Sequence, residues 1–479
     1  MNNDAPTLEE IFQLTRQELT AASKTDSIRE CGRAALSLLP TDHDTALKLA
    51  YQKLHDVPYK DVKTCWRRLY TDASLWKVVE LVQERDTTGS PKYEQIDQRD
   101  WLDEVVRLLD MALILVGSPQ RKELVELWFA ALKALLPHWD APDVEYDVEG
   151  LKRPLKRRRI AVQPRVAWPR MRFPNVKASS SPTLQHPLLR LHNLSQSAFQ
   201  AKISEVTTHT PTIIEGAIEH WPALDERPWS RPGYLLEQTL GGRRLVPVEV
   251  GKSYTDEGWG QKIVSFREFM DAYMLAPLSV DEIGGQERQP GYLAQHDLFA
   301  QIPTLRADIS IPDYCYCDPA PSPYLTHIKS AAKLEEPLLN AWFGPAGTVS
   351  PLHTDPYHNI LAQVLGSKYV RLYAPEETPK LYSRSVDENG VDMSNTSQID
   401  LEEAMKVWPE ISCWTQHTHW DKNGLEDQRK EFEQLYPDFK NASYVEGILG
   451  PGECLYIPAG WWHYVRSLSP SFSVSFWFN

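Results

Sequence analysis

The chain changes its hydrophobic rhythm part-way along. From residue 7 to about 140, apolar positions return every three or four residues, the period of a helix with one buried face. TLEEIFQLTRQELTAASK, SIRECGRAALSLL, HDTALKLAYQKLH, VKTCWRRLYTDASLWKVVELVQ and WLDEVVRLLDMALILV all carry it. Thr7 followed three residues later by Glu10 has the form of a capping box at the first helix start. Several such helices joined by short polar connections predict a bundle or a short helical solenoid, although no sharp internal repeat supports the solenoid.

From about residue 186 the apolar runs shorten. PTIIEGAI, RLVPVEVG, KIVSFREF, NAWFG, NILAQVL, KYVRLYA, ECLYIP, HYVRSL and SFSVSFWF are bounded by Pro and Gly, which reads as many short strands in a sandwich or barrel. In the last of them Phe472, Val474 and Phe476 alternate with Ser471, Ser473 and Ser475, the period of a strand. Gly366-Ser367 separates two strand-like runs and suits a two-residue type II′ hairpin turn. The intervening stretch LKRPLKRRRIAVQPRVAWPRMRFPNVKASSSPT is rich in Pro, Arg and Ser and shows no period, as a linker does. The chain is therefore read as an α+β multidomain protein: a helical domain over 1–140, a basic linker over 141–185 and a β-rich domain over 186–479.

The 479 residues exceed what a single core usually fills, in keeping with that division. A formal net charge of -14 sets the surface against a nucleic-acid backbone, so no direct nucleic-acid binding is expected. The run at Lys152, Arg153, Lys156, Arg157, Arg158 and Arg159 is the exception, either an import signal or anionic contact or simply a solvated linker. The N-terminus is acidic and lacks an apolar h-region, and no apolar run reaches the roughly 20 residues of a membrane span. An intracellular protein of the nucleus and/or cytoplasm, with no membrane contact, is the expectation. The six cysteines show no C-x2-C spacing and read as reduced, mostly buried thiols, with Cys315 and Cys317 as strand residues on one face.

The chemistry-bearing segment is Ser350-Pro351-Leu352-His353-Thr354-Asp355-Pro356. On a strand, His353 and Asp355 project to one face and can offer an imidazole and a carboxylate to one ion. His463, in YIPAGWWHYV, is a candidate third donor, completing the two-His, one-carboxylate set of non-haem Fe(II) oxygenases. An isolated H-x-D is weak on its own. Lys368 shares a strand face with Val370 and Leu372, so its ammonium either points inward and requires an anion or snorkels beside the turn.

Beyond these residues, GYLAQHDLFAQIPTLRADISIPDYC, NAWFGPAGTVSPLHTDPYHNILAQVLGSKYVRLYAPEE, NTSQID and GECLYIPAGWWHYVRSLSPSFSVSFWFN closely resemble the Jumonji-C oxygenases over about 285–479. Within them the likeness is to the group of lysine-specific demethylase 8 and Jumonji domain-containing protein 5, with a weaker likeness through VPVEVGKSYTDEGW. The resemblance implies a C-terminal double-stranded β-helix, a cupin-like jelly roll, with His353, Asp355 and His463 as catalytic Fe(II) ligands. It further implies that Lys368 and Tyr292, with Ser350 alongside, hold the distal carboxylate of 2-oxoglutarate. Asn359 would contact the chelating end, Trp342 would wall the pocket, and O2 would be the oxidant. Glu249 and Trp259 match positions that line the group's substrate pocket, where an acid suits a guanidinium or amine.

The implied activity is hydroxylation of a side chain, arginine being one candidate, on a protein or peptide substrate. Its alternative is demethylation of histone N-methyl-lysine or N-methyl-arginine, and a catalytically inactive binding module or a zinc or manganese cupin are the remaining readings. The N-terminal helices are a candidate contact for a protein partner. Residues 319–337 and 412–440 depart from the family pattern as insertions, the second a polar loop in which His417 and His419 read as surface residues.

Overall fold

The computed structural model describes residues 5–87 (except 22 and 24), 98–136, 172–174, 182–251 (except 206 and 208), 258–275, 289–321, 332–414 (except 388 and 389) and 422–479. The basic run at 152–159, His417 and His419 lie outside the described residues. Two compact units emerge, the first comprising residues 1–170 with 235–245 and 265–267, the second comprising the rest.

The first unit is helical: α1 (Leu8–Thr20), α2 (Arg33–Leu38), α3 (His43–His55), α4 (Thr64–Thr87), α5 (Gln98–Val116) and α6 (Lys122–Leu135). The expected capping box opens α1, with the Thr7 hydroxyl accepting from the Glu10 amide while the Glu10 carboxylate accepts from the Thr7 amide at 2.7 Å. The long α4 packs on α1, α3 and α5, and α1 also meets α6. In a solenoid each repeat touches only its neighbours, so these crossing contacts make the unit a bundle. Its core joins Ile11, Val79, Val105, Trp128 and Leu132. Asp110 on α5, fully buried, is paired with Arg244, whose Nε and Nη2 donate to the carboxylate at 2.7–2.9 Å. Residues 235–245, which the hydrophobic pattern assigns to the β-rich domain, are thereby built into the helical unit.

The second unit carries thirteen strands, two of which (β3 and β4) begin or end at residues of the first: β1 (Leu189–His192), β2 (Thr212–Glu215), β3 (Leu245–Val250), β4 (Gly260–Ser265), β5 (Gly291–His296), β6 (Leu338–Gly344), β7 (Val349–Thr354), β8 (His358–Leu365), β9 (Lys368–Tyr373), β10 (Tyr444–Leu449), β11 (Cys454–Ile457), β12 (Trp462–Ser467) and β13 (Ser471–Phe478). They form a nine-stranded sheet in the order β1-β2-β11-β8-β13-β6-β5-β3-β4 and a four-stranded sheet in the order β10-β9-β12-β7. This is a jelly roll of the cupin kind.

Several local expectations are corrected. Gly366-Ser367 does not close a hairpin, because β8 and β9 lie in different sheets. Both strands are buried along nearly their whole length, so the chain crosses from one inner wall to the other, with Gly366 at φ 70°. KIVSFREF is a strand only as far as Ser265; Phe266–Phe269 is helical. Cys315 sits in a 3-10 turn over Asp313–Tyr316 with Cys317 following it, so the pair is not on a strand, though both are buried and free. The 412–440 segment is no simple loop: it carries a helix, Lys422–Leu435, whose Phe432 packs with Tyr436 against the core around Trp408 and Tyr369.

Residues 182–185, expected in the linker, are hydrogen-bonded into the second unit. The amide of Thr183 donates to the Cys413 carbonyl at 2.7 Å and that of Gln185 to the Glu446 carboxylate at 2.6 Å. Glu446 is fully buried and pairs with Arg371 Nη2 at 2.9 Å, while Tyr369 also donates to it. Tyr369 and Arg371 alternate along β9 with Lys368, Val370 and Leu372, so this network occupies the strand face opposite Lys368.

Candidate active site

His353 stands near the end of β7 and His463 near the start of β12, and the register pairs them directly. Directly opposed residues of an antiparallel pair point to one face, and the two rings lie 4.2 Å apart between centroids. Asp355 follows just beyond β7. Its carbonyl accepts from the Gly460 amide at 3.0 Å, which fastens the Pro458-Ala459-Gly460 turn beneath the Asp355 loop. The Asp355 carboxylate reaches His353 Nε2 at 3.8 Å and His463 Nε2 at 3.5 Å. All three donor atoms lie within 4.8 Å of one another.

The tautomers follow from the partners. His353 Nδ1 is 2.7 Å from the Pro351 carbonyl and His463 Nδ1 is 3.1 Å from the Trp461 carbonyl. A carbonyl only accepts, so each Nδ1 carries the proton and each Nε2 presents its lone pair inward, as metal-binding histidines require. Burial, then the neighbouring His463, pulls the His353 pKa down to about 4, keeping the imidazole neutral. Burial works to raise the Asp355 pKa, but the two adjacent histidines outweigh it and hold the carboxyl below its usual range, so the third donor is a carboxylate.

One cavity, partly open to solvent, is lined by these three residues together with Tyr292, Trp342, Ser350, Asn359 and Lys368, and by Leu361, Ile457 and Val465. Lys368 is 1% exposed, which decides between the two readings of its side chain. Its Nζ donates to the Tyr292 hydroxyl at 3.2 Å, and no carboxylate among the described residues pairs with it. Burial alone lowers its pKa to about 7. Burial, then the charge of Glu249, raises the Tyr292 phenol, with a bond to Ser350 opposing, so it remains a neutral donor. Asn359 Oδ1 is buried without a partner.

The donor set fits a divalent transition ion, with two neutral imidazoles and one carboxylate on one side of the cavity. The buried ammonium fits an anionic ligand beside it, whereas the Asn359 amide oxygen, an acceptor without a partner, calls for a donor. Trp342 is held by its indole N–H donating to Ser475 Oγ at 2.9 Å.

Glu249 and Trp259 do not line this cavity. Glu249 pairs in register with Tyr292 across β3 and β5, and Trp259 Nε1 donates to its carboxylate at 3.4 Å. Burial raises the Glu249 pKa, against bonds from Trp259 and Gln261. Leu361, Ile457 and Val465 were not singled out from the sequence. Strand alternation carries the signal for them, since Leu361 shares a face with Asn359, and Val465 with His463.

A jelly roll in which a His-Asp-His set could hold a metal ion defines a cupin-type protein, and the relatives agree. Residues 197–479 match the family described as a Cupin-like domain. Lysine-specific demethylase 8 of Danio rerio is 35% identical over 430 residues, 90% of this chain and 85% of that protein. Jumonji C domain-containing protein 5 of Drosophila melanogaster is 39% identical over 285 residues, 59% of this chain and 57% of that protein. Human bifunctional peptidase and (3S)-lysyl hydroxylase JMJD7 is 28% identical over 280 residues, 57% of this chain and 78% of that protein. The chain belongs to the Jumonji-C family of cupin-like, 2-oxoglutarate-dependent oxygenases.

Proposed function

We propose that this protein is an Fe(II)- and 2-oxoglutarate-dependent hydroxylase of a side chain on a protein substrate, with His353, Asp355 and His463 as the iron ligands. The observation that carries the reading is Lys368, a buried amine without a carboxylate counter-ion among the described residues, in the same cavity as the three donors. Iron, cosubstrate and O2 together supply hydroxylation of a C–H bond coupled to cleavage of the keto acid to succinate and CO2.

The chain's own residues bind, orient and exclude water. Lys368 and Tyr292 donate to the distal carboxylate of 2-oxoglutarate, with Ser350 at the Tyr292 oxygen. Asn359 serves the chelating end, and Trp342, Leu361, Ile457 and Val465 close the apolar wall. Glu249, on β3 opposite Tyr292 and bonded by Trp259, would suit a cationic target side chain.

Among the described residues no helix is long and apolar enough to cross a membrane. A nuclear or cytoplasmic enzyme acting on protein is the corresponding placement, with the helical unit as the contact for any further partner. The second reading, N-methyl demethylation, draws on the relative named a demethylase, whereas the one named a lysyl hydroxylase favours the first. Mass spectrometry of a turned-over peptide separates the two: a retained oxygen atom supports hydroxylation, and loss of a methyl group as formaldehyde supports demethylation.

A further inference from the structure

His353 and His463 are carried by paired strands, but Asp355 follows the last residue of β7 and has no strand register of its own. β7 is also the outermost strand of its sheet, with β12 on one side. The outer edge of such a strand leaves a row of peptide groups unpaired unless something covers it. Residues 395–397 cover this one. The Thr354 amide donates to the Asn395 carbonyl at 2.8 Å, the Ser397 amide donates to the Leu352 carbonyl at 2.9 Å, and His353 stands opposite Thr396 in an antiparallel bridge.

Asn395 adds a bond from its side chain. Its Nδ2 donates to the Thr354 carbonyl at 3.3 Å, so the residue between His353 and Asp355 is held at both its amide and its carbonyl by one asparagine. The orientation of the side-chain amide follows from its partners: the Thr354 carbonyl only accepts, and the Thr396 hydroxyl donates to Asn395 Oδ1 at 3.3 Å. The Thr354 carbonyl belongs to the planar peptide group that joins Thr354 to Asp355, so holding it holds the plane on the N-terminal side of the Asp355 Cα. The plane on the other side is held at the Asp355 carbonyl, which accepts from the Gly460 amide at 3.0 Å. Two fixed planes set the direction of the Cα–Cβ bond between them, and with it where the carboxylate stands relative to the two imidazoles.

We propose that Asn395 is a positioning residue for the metal centre: its side-chain amide, acting through the Thr354 carbonyl, sets the Asp355 carboxylate in place to meet the ion together with His353 and His463. A donor already in place costs no ordering when the ion arrives, so the amide strengthens metal binding without touching the ion. This rests on the proposed reading of His353, Asp355 and His463 as the metal ligands.

The test titrates metal-free full-length protein anaerobically with Co(II), which accepts the same nitrogen and oxygen donors as Fe(II) and reports its ligand geometry in its visible absorption bands. Asn395→Ala and Asn395→Leu both remove the donor, the second at nearly the same side-chain volume, and because Asn395 is exposed little packing is lost. Gln398→Ala is the control, since Gln398 Nε2 ties the same segment to the Ser383 carbonyl at 3.0 Å rather than to β7. Both Asn395 variants are expected to bind Co(II) roughly 3- to 10-fold more weakly, the range for one net hydrogen bond, and with altered bands. Gln398→Ala should match native protein in affinity and in bands. Native affinity and bands in the Asn395 variants, or an equal loss in Gln398→Ala, overturns the role of Asn395 and leaves the metal centre standing. A native protein that takes up no Co(II) removes the metal centre itself, and this inference with it.

Discussion

Lys368 offers a quantitative test of what the cavity is for. Its folded-state pKa of about 7 lies below that of a solvated lysine, so from about pH 7 upward the ligand-free protein increasingly holds a neutral amine there. A dicarboxylate seated against it restores the charge, and binding must then be accompanied by proton uptake. Between about pH 7 and about pH 9 the protonated fraction falls roughly 50-fold, and the affinity for 2-oxoglutarate should fall by the same factor. Calorimetric titration of the anaerobic Fe(II) protein in buffers of different ionisation enthalpy reads the uptake directly, expected to be about 0.9 proton at about pH 8. Lys368→Arg, always charged, should abolish the uptake. Its bulk also lowers the affinity, so the diagnostic is the loss of pH dependence. An affinity constant from about pH 6 to about pH 9 in the native protein, with no proton taken up, would refute the reasoning.

The same lysine makes a stability prediction of definite sign. Because its folded pKa is depressed, the unfolded chain binds more protons between the two values, so its contribution to folding improves as pH rises from about 7 toward about 10.5. Lys368→Met should accordingly stabilise the ligand-free protein near neutrality by a few kcal/mol, seen as a raised Tm, while eliminating the further rise that 2-oxoglutarate produces in the native protein. Ser475→Ala removes the acceptor of the Trp342 indole and should raise the KM for 2-oxoglutarate a few-fold, with Ser475→Thr restoring it. Glu446→Ala strands the fully buried Arg371 and should lower stability by about 3–5 kcal/mol in denaturant titration, without touching any residue of the cavity.

How much of this was legible depended on whether the signal was local. The helices were, because a buried face repeats along one segment, and so was the capping box at Thr7. The spacing of His353 and Asp355 marked a candidate pair that was weak on its own. His463 stood only as a candidate third donor, because nothing local says that β12 lies against β7; the register displays that pairing. The Gly366-Ser367 turn shows the reverse case. A glycine-bearing pair between two apolar runs has the composition of a hairpin, yet only the sheet order reveals that β8 and β9 face each other across the cavity. Residues 235–245 were misassigned because their place in the helical unit rests on contacts far apart in sequence, Arg244 with Asp110, Arg243 with Asp103 and Gln238 with Lys133 among them. In β13 both halves of the alternation are buried, Phe472 against Trp229 and Phe343, Phe476 against Trp221, and the serines on the cavity side, so polarity alone did not mark a solvent face.

The measurement that bears most directly on the central claim is succinate formation by protein reconstituted anaerobically with Fe(II) and 2-oxoglutarate and then exposed to O2, native against His353→Ala. The three convergent donors require that the native protein bind one iron and form succinate, and that the variant do neither while remaining folded. Equal succinate from both proteins, or a native protein that binds neither iron nor the keto acid, would contradict the account.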